Sequence, residues 1–414
     1  MECVNKIGSN KRKMIVRWIF ILLLTTITAS LTLKQANEII WLYFSTDAAE
    51  YRENVGMPTD PPAVSFGIFP AFDDTTNSWS MTAVENIPAG SAIVYVNNAT
   101  LLRSEDCPEL NMLQSLSVHC TVALSFCLMR RCRLGTDDSS RSSTASTSHQ
   151  DVMWSLYCQL LPNNNISPVL ALNPTDPTLS PYTRQTLIER RKSLLYVEAV
   201  AKTTVFSIWK SQHHTIHKEW NTQLSLDLQW AQSMVISRAW SSSRFGCAAI
   251  PVLDFVNHKR GMDQIRRVKS EKLTQQNEVA WGFSTLNDMK KGDEYYVSYD
   301  EVDGCDVDLW LDYGFIEKDQ PLRPCVQVSL SNGTIVKLKR GMEINIEKKV
   351  VQEFRTSVKE QKEEGDLALE KLMEELTMRD GGLRVVADDP KRILLESELD
   401  LLKEILFFFN QSGI

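Results

Sequence analysis

Three things are scarce in this sequence. It has no run of twenty apolar residues, no Cys-x-x-Cys pair, and no stripe of Lys or Arg along one face. The first lack leaves no stretch of the length that a membrane-spanning helix ordinarily needs. The second argues against a structural zinc site. The third, with a net charge of −7, argues against a nucleic-acid binder held by bulk electrostatics. No internal repeat is visible either. The nine cysteines (3, 107, 120, 127, 132, 158, 247, 305 and 325) are odd in number and scattered, so they read as free thiols.

What is present begins with ordinary bulk. At 414 residues, 43% apolar and 23% charged, the chain is long enough for two or three domains with their own cores. Lys6, Lys11, Arg12, Lys13 and Arg17 precede 16 uncharged residues running from Trp18 to Leu33. A basic flank before a short apolar core suits a signal peptide or signal anchor over residues 1–45, with Thr28-Ala29-Ser30 as small residues for cleavage. Membrane association or entry into the secretory pathway is the expected localisation; the first half of a two-step import signal to a plastid is the alternative. Sequons at Asn98, Asn165, Asn332 and Asn410 permit a lumenal chain without arguing for it.

Residues 46–63 are polar, end in Pro58, Pro61 and Pro62, and read as a linker. Apolar alternation then marks strands at Met81–Val84 and Ala92–Val96. The Pro88-x-Gly90 turn between them predicts a β-hairpin or meander. From about residue 106 to 236 the spacing turns helical (Leu110, Leu113, Leu116, Val122, Leu124, Leu128), with Trp209, Trp220, Trp230 and Met234 as core residues. Residues 135–150 are rich in Ser and Thr and predict a disordered loop. Strand-like runs return at 246–258 and 278–300. The last segment is amphipathic, with Leu394, Leu395, Leu399, Leu402, Ile405, Leu406 and Phe409 on one helical face. One β-domain split by a helical insert explains this order better than four separate domains.

Lesser motifs favour plain readings. His213-His214-x-x-His217 has helical spacing for a metal but no Cys or acidic partner, so a solvated turn is expected. Cys127 and Cys132 beside Arg130, Arg131 and Arg133 read as a helix end. Phe407-Phe408-Phe409 reads as core packing of the terminal helix.

The organising stretch runs from Arg238 to Phe315. It contains Arg238-Ala239-Trp240, Asp254-x-x-Asn257-His258, Lys291-Gly292-Asp293-Glu294, Ser298-Tyr299-Asp300 and Asp312-Tyr313-Gly314-Phe315. In this order the motifs resemble the SET-domain methyltransferases, and most closely the Rubisco large-subunit lysine methyltransferase class. Trp154-x-x-Tyr157-x-x-Leu160-Leu161-Pro162 is similar to that class's helical insert. The resemblance implies an α+β fold: a SET β-domain over residues 64–330, split by the insert, followed by a helical substrate-binding lobe over 331–414.

The resemblance also implies roles. Arg238, Asn257 and His258 would hold S-adenosyl-L-methionine, together with the loop at Ser78, Trp79 and Ser80. Tyr299 would stand at the methyl-transfer channel and Tyr313 would line the lysine slot. Trp240 is the aromatic that lysine-directed relatives carry two residues after the arginine, where histidine-directed ones carry Asn. The implied activity is protein-lysine N-methylation by a monomer, with a protein substrate carrying the target lysine and no metal. The family's cofactor loop has glycines where Ser78 and Ser80 stand, so a non-catalytic interaction module is a competing reading, as is a protein-histidine methyltransferase. Taken singly, Asn257, His258 and Tyr299 read as residues that satisfy buried backbone groups; taken together with Arg238 and Tyr313 at matching separations, they argue for a site.

Overall fold

The apolar alternation after residue 63 folds into short strands in the computed structural model. The structure describes residues 38–411, apart from 55–62, 74–77, 107–119, 135–148, 163–165, 213–219, 243–245, 270–280, 300–303, 331–334, 341–350, 381–388 and a few isolated positions. The basic and apolar signal segment, the core of the Ser/Thr-rich loop and the His213–His217 cluster therefore lie outside the described residues. So do the sequons at Asn98, Asn165 and Asn332, residues Leu110, Leu113 and Leu116, and the side chains of Val122, Trp209 and Trp220. Among the described residues no helix is long and apolar enough to cross a membrane.

In chain order the elements are α1 (Ala49–Asn54), β1 (Ala63–Ser65), β2 (Ile68–Asp73), β3 (Ser78–Ala83), β4 (Ala92–Val96) and β5 (Leu102–Arg103). Then come α2 (Cys120–Met129), α3 (His149–Leu160), α4 (Pro168–Ala171), α5 (Pro181–Gln212) and α6 (Trp220–Arg238). The chain returns to strands in β6 (Trp240–Ser242), β7 (Gly246–Ala249), β8 (Asn257–His258), β9 (Ile265–Lys269), β10 (Trp281–Thr285) and β11 (Tyr296–Val297). After α7 (Asp306–Tyr313), a hairpin of β12 (Cys325–Ser329) and β13 (Ile335–Lys339) leads to α8 (Val351–Asp380) and α9 (Pro390–Gln411).

The strands make several small sheets rather than one large one. The widest has the order β1-β4-β10-β9 and the next β5-β7-β6, while β2-β3, β8-β11 and β12-β13 are pairs. The turn at Pro88–Gly90 does not close a hairpin: β3 pairs with β2, and β4 pairs with β1 and β10. Its backbone explains why. Gly90 N–H donates to Thr285 O at 2.8 Å and Thr285 N–H returns to Ser91 O at 3.0 Å, so a strand nearly two hundred residues away takes the place of the local partner.

The insert and the sheets share one core. Met81, Val94, Leu124, Trp154, Tyr157, Leu253, Phe255 and Tyr295 belong to the same buried cluster. Each such side chain contributes about 1.5–3 kcal/mol on leaving water, so the insert and the sheets stabilise each other through this shared core. A second cluster of Val169, Tyr182, Trp310 and Leu311 fastens α7 to the insert. In the C-terminal lobe α8 and α9 run closely together; a Cβ on Gly365 would meet Leu399 Cδ2 at 2.9 Å, so a larger residue there would require that leucine side chain to shift.

Three further expectations require correction. Residues 46–54, read as linker, form a short 3₁₀ turn and α1, with Arg52 wholly buried and donating to Ser45 O at 2.5 Å. Of the three phenylalanines near the end, Phe409 is buried but Phe407 and Phe408 are 62% and 50% exposed. Consecutive helical residues point about 100° apart, so one face cannot take all three. The cysteines are not all free thiols. Cys132–Cys158 and Cys305–Cys325 are disulfides, with Cα–Cα distances of 5.3 and 5.8 Å, and Cys127 and Cys247 are disulfide-bonded as well. Pairing across loops of this length follows from the tertiary fold and leaves no spacing signature.

Candidate active site

The polar strand ends meet because β8 and β11 pair in parallel, with Tyr296 opposite Asn257 and Val297 opposite His258. That short ladder puts the Asn-His pair and Tyr299 side by side, although 41 residues separate His258 from Tyr299. The chain enters β8 through a strained turn. Val252 has φ 72°, alone among the described non-glycine residues in being positive, and leads into the 3₁₀ turn Leu253–Phe255. A β-branched residue pays on the order of 1–3 kcal/mol for that conformation, and such strain collects where a side chain must be aimed. Here the aimed residue is Asp254.

A cavity of about 290 Å³ opens beside this turn, lined by Ser237, Arg238, Ala239, Trp240, Asp254, Val256, Val297, Ser298, Tyr299 and Tyr313. The rings of Tyr299 and Tyr313 lie 4.7 Å apart, tilted by 35°. Tyr299 OH donates to Val256 O, which leaves the lone pairs of its oxygen for something else. Burial pushes the Tyr299 hydroxyl well above the ordinary phenol range; Arg238 opposes this, while Tyr313, Asp254 and Glu294 reinforce it. The phenol is therefore neutral throughout the physiological range. Trp240 packs edge-on against Phe283 at 5.2 Å.

Tyr313 is held from three sides. It ends α7, where Gly314 at φ 82° accommodates a left-handed cap that other residues adopt at a cost. Cys305 caps the start of α7 and carries the disulfide to β12. Along its length, Arg190 of α5 pairs with Asp308 at 2.7 Å and with Asp312, and Ser167 Oγ donates to Leu311 O at 2.7 Å. Burial raises the Asp312 carboxyl above its usual range, with Arg190 opposing.

Arg238 ends α6 and pairs with Asp254 Oδ2 at 2.9 Å. Burial pulls its guanidinium down, but Asp254, helped by Tyr157 and Tyr299, outweighs this and holds it above its ordinary value. Asn257 and His258 border the cavity without lining it. The Asn257 amide donates to Trp79 O at 3.2 Å and to Glu294 Oε1 at 2.7 Å, and Tyr296 OH donates to Glu294 Oε2 at 2.7 Å. Burial, with that bond and the Glu294 charge, lifts the Tyr296 hydroxyl to about 12. His258 is turned inward: its side chain is 1% exposed, Nδ1 accepts from Tyr299 N–H at 2.9 Å, and Nε2 lies 3.6 Å from Glu317.

The loop expected at Ser78-Trp79-Ser80 is in fact the start of β3, in antiparallel register with Asp73, Phe72 and Ala71. None of the three has a positive φ. Extended backbone is open to any residue, so serine at the glycine positions carries no conformational penalty here. Trp79 stacks on Phe255 at 5.2 Å and 19°, which fixes its carbonyl toward Asn257.

The structure thus brings Arg238, Trp240, Tyr299 and Tyr313 to one cavity and places Asn257, His258 and Trp79 in the layer beside it. Sequence reasoning missed Asp254, Tyr157 and Glu294 as site residues. Asp254 opens the Asp-x-x-Asn-His motif, which was a usable signal; Tyr157 stood in the insert's Trp154-x-x-Tyr157 motif, which marked the insert but not a contact with the site.

A scan against protein-family models finds no match, and no curated protein matches the chain. Solved structures do. The SET domain of LSMT bound to lysine and AdoHcy superposes with TM-score 0.57 at 15% identity, over 89% of this chain and 92% of that one. Rubisco LSMT bound to AdoMet gives 0.56 at 14% identity, over 88% and 93%. Rubisco LSMT bound to sinefungin and monomethyllysine gives 0.56 at 15% identity, over 84% and 88%. The small sheets, the helical insert and the helical lobe described above are together the SET fold of these LSMT structures.

Proposed function

We propose that this chain transfers the methyl group of S-adenosyl-L-methionine to a lysine side chain of a protein substrate. The observation that carries the reading is the Tyr299–Tyr313 pair lining one cavity with Arg238 and Trp240, in a fold whose solved counterparts hold AdoMet or AdoHcy and lysine.

The residues fit such a cofactor. Arg238 offers a cation for a carboxylate, the Glu294 carboxylate offers an acceptor, and the Asn257 amide, with both N–H groups given to Trp79 O and Glu294 Oε1, holds β3 and that carboxylate in place. When bound, the cofactor supplies an electrophilic methyl on a sulfonium: the new N–C bond forms as the S–C bond breaks, leaving a neutral thioether, and the amine's proton leaves to solvent.

The chain's own part is positioning. Aromatic walls around the slot exclude water and favour the neutral amine, which is the nucleophile. The Tyr299 hydroxyl donates its hydrogen to Val256 O, so its oxygen would present lone pairs to a polarised methyl, a weak contact worth most where charge develops. Alignment of amine and methyl supplies most of the acceleration in an in-line displacement of this kind. The lobe formed by β12, β13, α8 and α9 is the part we assign to holding the protein substrate.

We also infer that the chain works in an oxidising compartment reached through its N-terminal segment. The disulfides at Cys132–Cys158 and Cys305–Cys325 support this, because such bonds persist in a secretory lumen and seldom in the cytosol.

Calorimetric titration tests the activity at its root. S-adenosylmethionine binds the wild-type chain, and Asn257→Ala abolishes binding; no heat at millimolar cofactor sinks the reading. Labelled cofactor added to a whole lysate then identifies the methylated protein, with label on lysine rather than histidine.

A further inference from the structure

Helix α3 of the insert touches the lining of the cavity through Asp254. Tyr157, on the inner face of α3, is 2% exposed and packs edge-on against Trp154 at 5.4 Å. Its hydroxyl donates to Asp254 Oδ2 at 2.5 Å, the same oxygen that takes Arg238 Nη1 at 2.9 Å. The other oxygen, Oδ1, is buried and has no hydrogen-bond partner among the described residues. Asp254 itself is 1% exposed at its side chain.

A single oxygen gripping a guanidinium through one nitrogen is not a rigid pair. The carboxylate can turn about its Cβ–Cγ bond, and the planar guanidinium can swing with it. A second donor on the same oxygen removes that freedom, because both bonds must be kept and a buried carboxylate has no water to replace either. Packing alone does not require the hydroxyl: phenylalanine would fill the same space. The next residue, Cys158, is joined to Cys132, so α3 is covalently anchored one position from the phenol.

We propose that Tyr157 is a positioning residue that orients Arg238 in the cavity through Asp254, so that the helical insert sets the geometry of the cofactor's carboxylate contact. The claim for the cofactor rests on the methyltransferase reading; the claim for Arg238 does not.

The experiment separates the two. Full-length chain and Tyr157→Phe are treated with phenylglyoxal, and modification of Arg238 is followed by mass spectrometry, with folding checked by thermal unfolding. Loss of one charge-assisted hydrogen bond predicts modification about 5- to 10-fold faster in the variant. Asp254→Asn raises the rate too, and the double variant is no faster than Asp254→Asn alone. In the folded Tyr157→Phe protein an unchanged rate overturns the proposal, and so do effects of the two changes that multiply independently. On cofactor binding, Tyr157→Phe weakens affinity about 5- to 10-fold by the same bond. If the wild type binds no cofactor but Arg238 reactivity responds as stated, the positioning stands and the methyltransferase reading falls.

Discussion

The backbone N–H of Tyr299 donates to Nδ1 of His258 at 2.9 Å, and the two rings lie 5.2 Å apart. The imidazole of the Asn-His motif thus serves the tyrosine rather than the cavity. With Nδ1 accepting, the proton of a neutral ring sits on Nε2, toward Glu317. Removing this support leaves a buried N–H without a partner and a void beside Tyr299 and Phe315. His258→Ala is therefore expected to lower unfolding free energy by about 2–4 kcal/mol in urea titration. A loss under about 0.5 kcal/mol would contradict the assignment, since that is the range of ordinary surface changes.

Tyr299→Phe keeps the ring against Tyr313 and removes only the hydroxyl. If that oxygen faces the transferred methyl, single-turnover rate falls on the order of 100-fold while cofactor affinity changes less than about 3-fold. Equal losses in both would place the hydroxyl in cofactor binding instead.

Glu398 of α9 is buried against the start of α5, where its Oε1 accepts from Thr183 at 3.0 Å. Burial drives its carboxyl to about 8, with hydrogen bonds from Ser180 and Thr183 opposing the rise. An acid whose folded value lies above its unfolded one binds more protons when folded. Its stabilising contribution is complete below about pH 4.5 and is lost as pH rises through about 8. Thermal unfolding of the lobe should fall across this window by an amount on the order of a few kcal/mol. Glu398→Gln, which stays neutral, should flatten that slope; an identical slope in the variant would show that another group titrates.

The Cys305–Cys325 bond ties the first residue before α7 to β12, closing a loop of 20 residues. Replacing both cysteines by serine is expected to cost about 3 kcal/mol, in line with loops of this length. Tyr313 stands at the far end of the same helix, so the variant should also lose activity before it loses folded content by circular dichroism. Retained activity at full rate would show that Arg190 and Ser167 suffice to hold α7.

Much of this protein is determined by local sequence. The amphipathic face from Leu394 to Phe409 makes α9 because apolar residues at helical spacing must find a partner, and Leu394, Leu395, Leu399, Leu402, Ile405 and Phe409 are all buried. The polar residues at element ends, Arg238 and Tyr313 closing helices and Asn257 and Tyr299 at the paired strands, were legible as a set because their order and separations are carried by the chain itself. Other features were settled by contacts between distant residues, which no local pattern encodes. Thr285 displaced the local partner of the Pro88–Gly90 turn, and Ser78 and Ser80 fell into an extended strand that asks nothing of glycine. Cysteines 20 and 26 residues apart met in bonded pairs only once the helices had packed. Tyr157 reached Asp254 across 97 residues because the insert and the sheets share one core. Sequence periodicity determines which face of an element is buried; only the tertiary structure decides against what, because that choice is made by shape and hydrogen bonding between segments the chain keeps far apart.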